Sequence, residues 1–321
     1  MLLGDVLELR QARLHDVLEE AIPALNQLGT ALGQEKEVVI VPGNHDHHLL
    51  SGWLERRGAS TAVPLGLAAA VDWEPGEVLS IVSQALAPAA VRVSYPGTWL
   101  REDVYATHGH YLDRHTTVPM FERLGAGVMA RIVGEPDGGP HRAEDYEAIL
   151  APIYAWIHSI AQNGGPQLGR SSHGASRQAW RVLASSSRSR SLRARALTIG
   201  FPVAVAVLSR TPLGPLQADL SPAELRRAAL GAFGDVLVRL RVNATHVIFG
   251  HTHRAGPLPD DDGAAWSAPT GARLVNTGSW IREAALLGTR PADSPYRPGF
   301  GALLDGDAEP KLENLLTPAP A

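Results

Sequence analysis

The chain has no cysteine among its 321 residues. Disulfides and thiolate metal ligands are therefore excluded, and any bound metal must be held by His, Asp, Glu or Asn. The same absence fits a cytoplasmic setting. The chain also lacks a large excess of either charge: 29 Lys and Arg stand against 33 Asp and Glu, for a net charge of -4 and a pI near 6.3. That balance makes no electrostatic case for a nucleic-acid partner. The opening Met-Leu-Leu-Gly-Asp has no basic segment followed by a long apolar one, so no signal peptide is expected. No Gly-x-Ser-x-Gly nucleophile motif and no internal repeat occur. Hydrophobic content of 45% and charged content of 19% describe a globular chain able to bury a core.

What is present is organised around Val38-Val39-Ile40-Val41-Pro42-Gly43-Asn44-His45-Asp46. A β-prone apolar run ends in Pro-Gly and then crowds three polar side chains onto one turn. In open α/β sheets ligands sit at the carboxyl ends of strands. Ahead of this run, Met1 to Leu3 read as the end of a strand that turns at Gly4-Asp5. An amphipathic helix carries Leu14, Val17, Leu18, Ala21, Ile22, Leu25 and Leu28 at helical spacing, with Pro23 expected to loosen it. Strand, helix, strand predicts a parallel βαβ unit, with Gly4-Asp5 and Asn44-His45-Asp46 at the same sheet edge.

Further along, His47 to Arg57 predicts a short helix, and Val91 to Tyr95 and Asp103 to Thr107 predict strands. The second strand ends in His108-Gly109-His110. Ser221-Pro222-Ala223-Glu224 is a capping box with Pro at the first helical position, opening a helix to about Leu240. His246 to Phe249 predicts a strand ending in Gly250-His251-Thr252-His253. A solvated hairpin tip is expected at Asp260 to Asp262, Leu274-Val275 leads into Asn276-Thr277-Gly278-Ser279, and Phe300 to Leu304 with Leu312 to Leu316 would close a second sheet.

Several strand ends thus carry Asp5, Asn44-His45-Asp46, His108 and His251/His253, each with glycine beside the polar group. Glycine lets the backbone turn sharply and approach a metal or phosphate. His251 and His253, one residue apart, would point the same way on extended backbone. Nitrogen and oxygen ligands of this kind suit Mn²⁺, Fe or Zn²⁺.

Gly4-Asp5, Gly43-Asn44-His45-Asp46, His108-Gly109 and Gly250-His251-Thr252-His253 resemble, in order and spacing, the successive motifs of the calcineurin-like metallophosphoesterases. The resemblance implies an α/β fold: a two-sheet sandwich flanked by helices, with a dinuclear metal site at the sheet edge. It implies that Asp5 bridges two metals, that Asn44, His108 and His251 complete the second site, and that His253 ligates the first. His45 would face the phosphate as general acid or charge stabiliser, oriented by Asp46. Two divalent metals (Mn, Fe or Zn) would hold a hydroxide and clamp phosphoryl oxygens for in-line attack on a phosphate monoester, diester or pyrophosphate.

The family's first motif, Asp-x-His on a strand ahead of Gly-Asp, does not precede Asp5. The expectation is a single domain over residues 1–321, N-terminally truncated through the position of the gene start, whose first metal site keeps only Asp5 and His253. A single retained metal is then an option. Alternative readings are a nuclease of the same superfamily or a metal-binding pseudoenzyme.

Between the two halves, residues 112–219 lose the α/β pattern and predict an inserted, mainly helical cap. Within it, Arg170 to Arg195 holds seven arginines and no acid, and Ala196 to Leu208 is almost wholly apolar. A solvated loop beside a buried cap helix is the plainer reading. The functional one is a cap that meets a lipid-linked phosphate substrate or a membrane surface, since the run falls short of the about 20 residues that span a bilayer. His47 and His48 are expected on the site's rim, and His110, Asp113 and His115 in a polar loop at the cap entrance or in contact with substrate. His15, His141, His158, His173 and His246 are expected to be structural or exposed, and Trp280 in the core.

Overall fold

Val38, Val39 and Ile40 do form a buried strand, β1 (Glu37–Ile40), and the computed structural model shows what it joins. Residues 1–59, 63–117, 121–163, 221–282, 284–288 and 290–316 are described. The architecture is mixed α/β, on a sheet with both parallel and antiparallel strands. Helix α1 (Leu14–Leu32) runs through Pro23 and buries Leu18 and Leu25. Leu2 bridges Ile40 in parallel, with its N–H on Val39 O and its carbonyl accepting Val41 N–H, so Gly4-Asp5 follows a strand residue beside β1 as expected.

The remaining strands are β2 (Ala68–Val71), β3 (Ala90–Arg101), β4 (Val104–Thr107), β5 (His246–Phe249), β6 (Ala255–Gly256) and β7 (Arg273–Thr277), in the order β1-β3-β4-β5-β7-β6 with β2 also on β3. The long strand β3 changes partners along its length. Its first part lies parallel to β1, with Ile40 opposite Val93, and its last part antiparallel to β4, with Thr107 opposite Gly97. The carboxyl ends of β1 and β4 therefore reach the middle of one strand from opposite directions. Because β4, β5 and β7 are mutually parallel, their carboxyl ends lie together.

Both faces of the central strands are covered, which explains their unbroken apolar runs. Tyr105, Val247, Phe249 and Leu274 face helix α6 (Pro222–Arg239), where Phe233 stacks on Phe249 at 4.1 Å. Their neighbours Val104, Ala106, Ile248 and Val275 face the other way, toward Ala302 and Leu312. Those two belong to a separate antiparallel pair, β8 (Phe300–Leu303) and β9 (Lys311–Asn314), the expected second sheet. Helix α6 starts at the predicted cap: Ser221 Oγ accepts the Glu224 N–H at 3.3 Å, while the Glu224 carboxylate turns to Arg227.

Residues 58–90, which carry no clear pattern, include β2 and helix α3 (Val78–Ala85), after the 3-10 turn His47–Leu50 and helix α2 (Ser51–Gly58). The expected cap begins with a 3-10 turn (His110–Arg114) and continues with α4 (Phe121–Ile132) and α5 (Ala143–Asn163). The Arg-rich stretch and Ala196 to Leu208 lie outside the described residues. Two surface expectations are corrected. Asp260 and Asp262 are exposed, as expected of a solvated tip, but the Asp261 side chain is 5% exposed because it takes Arg254, Arg226 and the Leu258 N–H. Trp280 is not in the core but 60% exposed, with Nε1 donating to Phe300 O at 2.9 Å.

Candidate metal centre

The strand ends bring Asp5, His108 and His251 together, with one ligand atom of each within 4.8 Å of the others. Each arrives by a sharp turn. Gly4 and Asp5 have positive φ (80° and 54°), as do Gly109 (103°), His251 (65°) and His253 (61°). The His251–His253 backbone is thus bent rather than extended, and the expectation that both rings point the same way does not apply. Space also demands glycine at two places. A Cβ on Gly4 would fall 2.3 Å from His108 Nδ1, and one on Gly43 would fall 2.4 Å from Asp5 Oδ1. The ligands can close up only because these side chains are absent.

Hydrogen bonds fix which atom each residue presents. His108, 3% exposed, uses Nδ1 to donate to Leu3 O at 2.9 Å. Its Nε2 then faces Asp5 Oδ2 at 3.1 Å and Asn44 Oδ1 at 3.2 Å. His251 places Nε2 on Asp113 Oδ1 at 2.8 Å and Nδ1 on the same Asn44 Oδ1 at 3.2 Å. Both imidazoles are held from behind, and their remaining nitrogens converge on an amide oxygen and a carboxylate. Two carbonyl-type oxygens facing two ring nitrogens leave room for a cation, as a proton or a metal. Without a metal the proton is favoured: burial opposes it, but Asp5, the Leu3 carbonyl and Asp46 together outweigh burial and raise His108 to about 9. Burial alone would raise Asp5; the His108 and His45 imidazoles hold it well below the usual carboxylate range.

His45 stands beside this group. Its backbone N–H donates to Asp5 Oδ1 at 2.8 Å, and its Nδ1 lies 2.7 Å from Glu8 Oε2. Burial works against its charged form, but Asp5 and Glu8 together raise its pKa. The assignment of Asp46 as the residue that orients His45 is therefore corrected. Asp46 is fully buried, and its oxygens accept the Gly43 N–H at 2.6 Å and the Val6 N–H at 2.8 Å. It ties the turn after β1 to the turn that carries Asp5, and Glu8 takes the imidazole. His253 is not part of the Asp5–His108–His251 group. Asn276 steadies the neighbouring turn by donating to Gly250 O at 3.0 Å and Thr252 Oγ1 at 2.9 Å.

Glu8 and Asp113 were not singled out by the motifs. Glu8 stands three residues after Asp5, and Asp113 five after His108, so each is a carboxylate just downstream of a ligand. Asp113 and His110 are buried at 5% and 1% exposure, not in an open loop. His47, expected on the rim, is 6% exposed and sits 2.9 Å from Glu147 Oε2. Glu147, on α5, also accepts Tyr95 OH at 2.5 Å and Tyr111 OH at 2.7 Å. Burial would raise this carboxyl, but His47 and the hydroxyls lower it. His110 Nε2 meets Tyr95 OH at 3.0 Å, and its Nδ1 has no hydrogen-bond partner among the described residues. Burial and the neighbouring imidazoles hold His110 neutral.

Compared with known proteins, the chain matches no family model, no curated protein and no solved structure. Among the described residues no helix is long and apolar enough to cross a membrane.

Proposed function

We propose that the chain is a metal-dependent phosphoesterase, a hydrolase of the calcineurin-like kind that its motifs resemble. The observation that carries this reading is the convergence of Asp5 Oδ2, Asn44 Oδ1, His108 Nε2 and His251 Nδ1, with the far nitrogen of each ring already engaged. One carboxylate, one amide oxygen and two imidazoles fit a borderline divalent cation such as Mn²⁺, Fe²⁺ or Zn²⁺. The rear contacts from Leu3 O and Asp113 are the kind that orient metal-ligating histidines. When bound, the cation supplies Lewis acidity toward a phosphoryl oxygen and acidifies water.

The chain's own residues do the rest. Glu8 holds the His45 ring, and its charge favours the imidazolium, which can give a proton to a leaving oxygen or steady charge on the phosphoryl group. Asp46 locks the two turns that set Asp5 against His45. The four converging residues make up one cation's ligand set; a second metal would share Asp5 and draw on His253. Small-molecule or lipid-linked phosphates are the proposed substrates and the cytoplasm the proposed setting, with the helical insertion as the part that would meet a membrane.

The test is turnover of a bis-aryl phosphate by the purified chain with Mn²⁺. His45→Ala should slow it about 100-fold or more, and Asn44→Ala should abolish both turnover and metal binding. Unchanged rates in both variants would sink the proposal. Metal binding without turnover would indicate a pseudoenzyme, and cleavage of single-stranded DNA in place of phosphate esters a nuclease.

A further inference from the structure

The turn that carries His251 has an unfavourable backbone shape. His251 and His253 both sit in the left-handed region, at φ 65° and 61°. A residue with a side chain stays there only where its surroundings over-determine it. Asn276 holds the first part of the turn through Gly250 O and Thr252 Oγ1. The exit is held by Arg254, the residue after His253. Its guanidinium grips the Asp261 carboxylate twice, Nη1 to Oδ2 at 3.0 Å and Nη2 to Oδ1 at 2.6 Å, and Nη1 also donates to Ala255 O at 3.0 Å. The guanidinium lies over the Trp266 ring, 5.5 Å from its centroid, and 12% of the Arg254 side chain is exposed. Gly256 leaves room for it: a Cβ there would fall 2.1 Å from the Trp266 ring and 2.8 Å from Arg254 Nη1. Asp261 is tied in turn to the Leu258 N–H at 2.9 Å and to Arg226 of α6 at 3.0 Å.

We infer that Arg254 and Asp261 are positioning residues for His251: their clamp locks the exit of the left-handed turn and thereby keeps His251 Nδ1 on Asn44 Oδ1, at the converging ligand atoms. A buried ion pair adds little stability over apolar packing, and its best-attested use is to fix one arrangement among several. The planar fork of arginine suits that use, because two parallel contacts set direction as well as distance. Neither residue belongs to the Asp5–His108–His251 group, so both act through the turn. The cation at His251 belongs to the phosphoesterase reading, on which this role depends; the hold on the turn does not require it. Arg226 supplies a built-in control. It meets the same carboxylate from α6 but is not part of the turn.

The test titrates Mn²⁺ into the full chain by calorimetry and follows hydrogen exchange in the metal-free chain at the Thr252 and Ala255 amides, which donate to Gly250 O at 2.7 Å and Pro295 O at 2.8 Å. Arg254→Met and Asp261→Asn should each weaken Mn²⁺ binding about tenfold and speed exchange at both amides. Arg254→Lys, which keeps the charge and loses the fork, should fall between them and the parent. Arg226→Met should leave affinity and exchange close to the parent. The double variant Arg254→Met with Asp261→Leu should keep the parent's urea midpoint while binding Mn²⁺ as weakly as Arg254→Met, which separates positioning from folding. Parent-like affinity and exchange in the Arg254 and Asp261 variants would overturn the inference. So would changes of equal size in Arg226→Met, since a general loosening would then account for both. If the parent chain binds no Mn²⁺ yet exchange rises in the Arg254 and Asp261 variants and not in Arg226→Met, the clamp stands and the metal reading falls.

Discussion

Two buried clusters of carboxylate and imidazole lie side by side, with the His108 and His110 rings 5.7 Å apart, and they are built on opposite principles. Around Asp5, acceptors meet: a carboxylate and the Asn44 amide oxygen face the free nitrogens of His108 and His251. Around Glu147, donors meet an acceptor: two tyrosine hydroxyls and His47 saturate one carboxylate. The first arrangement needs a cation to be complete, whereas the second is already satisfied. Residue types alone do not separate them, since each is His and acid in a buried pocket. The polarity of their hydrogen bonds does.

The comparison can be broken at several points. The largest effect is expected from Asp5→Ala, which should weaken Mn²⁺ binding by about 100-fold or more, read by calorimetric titration. Retained affinity would mean that the acceptors around Asp5 do not form a cation site. Glu147→Gln should leave metal affinity nearly unchanged but cost about 2 kcal/mol of stability in urea denaturation, because an amide cannot accept all the hydrogen bonds that the buried carboxylate takes from His47, Tyr95 and Tyr111. Loss of metal binding in that variant, with stability intact, would reverse the roles given to the two clusters. Asp113→Asn should weaken metal binding about tenfold, since it alters the contact that fixes which His251 nitrogen faces the site.

The last break point lies at the outer end of the structural cluster. His115 Nε2 lies 2.7 Å from Tyr146 OH, and the Tyr146 ring stacks on Tyr111 at 4.6 Å. Burial, then Arg239, Arg114 and Arg123, lower His115 from 6.5 to about 3. The unfolded chain therefore takes up this proton first, and stability falls as pH drops from about 6.5 toward 3, by at most about 1.4 kcal/mol per unit. His115→Phe should flatten that part of the stability curve, and an unaltered slope in urea midpoints between pH 6 and 4 would rule the contribution out.

Much of the framework was legible because it depends on local pattern. The strand at His246–Phe249, the capped helix from Pro222 and the second sheet are where propensity and turn chemistry place them. The Ala-rich strand β2 was not legible, since Ala68-Ala69-Ala70 has little intrinsic β preference and is held by pairing with β3. At the site, the residue types at the strand tips were readable, but their partners were not. Asp46 follows His45 in sequence, yet its oxygens go to backbone N–H groups, and Glu8 reaches the imidazole from another turn. The burial of His47 and His110 likewise depends on α5, whose position no local pattern discloses.

Helix α5 touches the site region at widely spaced points. Glu147 holds His47, Tyr154 underlies Arg10, His158 caps Leu9 O, and Gln162 accepts the Leu14 N–H at 2.9 Å. None of these α5 residues is among the converging ligand atoms. The converging ligand atoms and the helix that backs their surroundings are thereby placed on separate parts of the chain, so substitutions along α5 can reshape the neighbourhood while those atoms stay where they are.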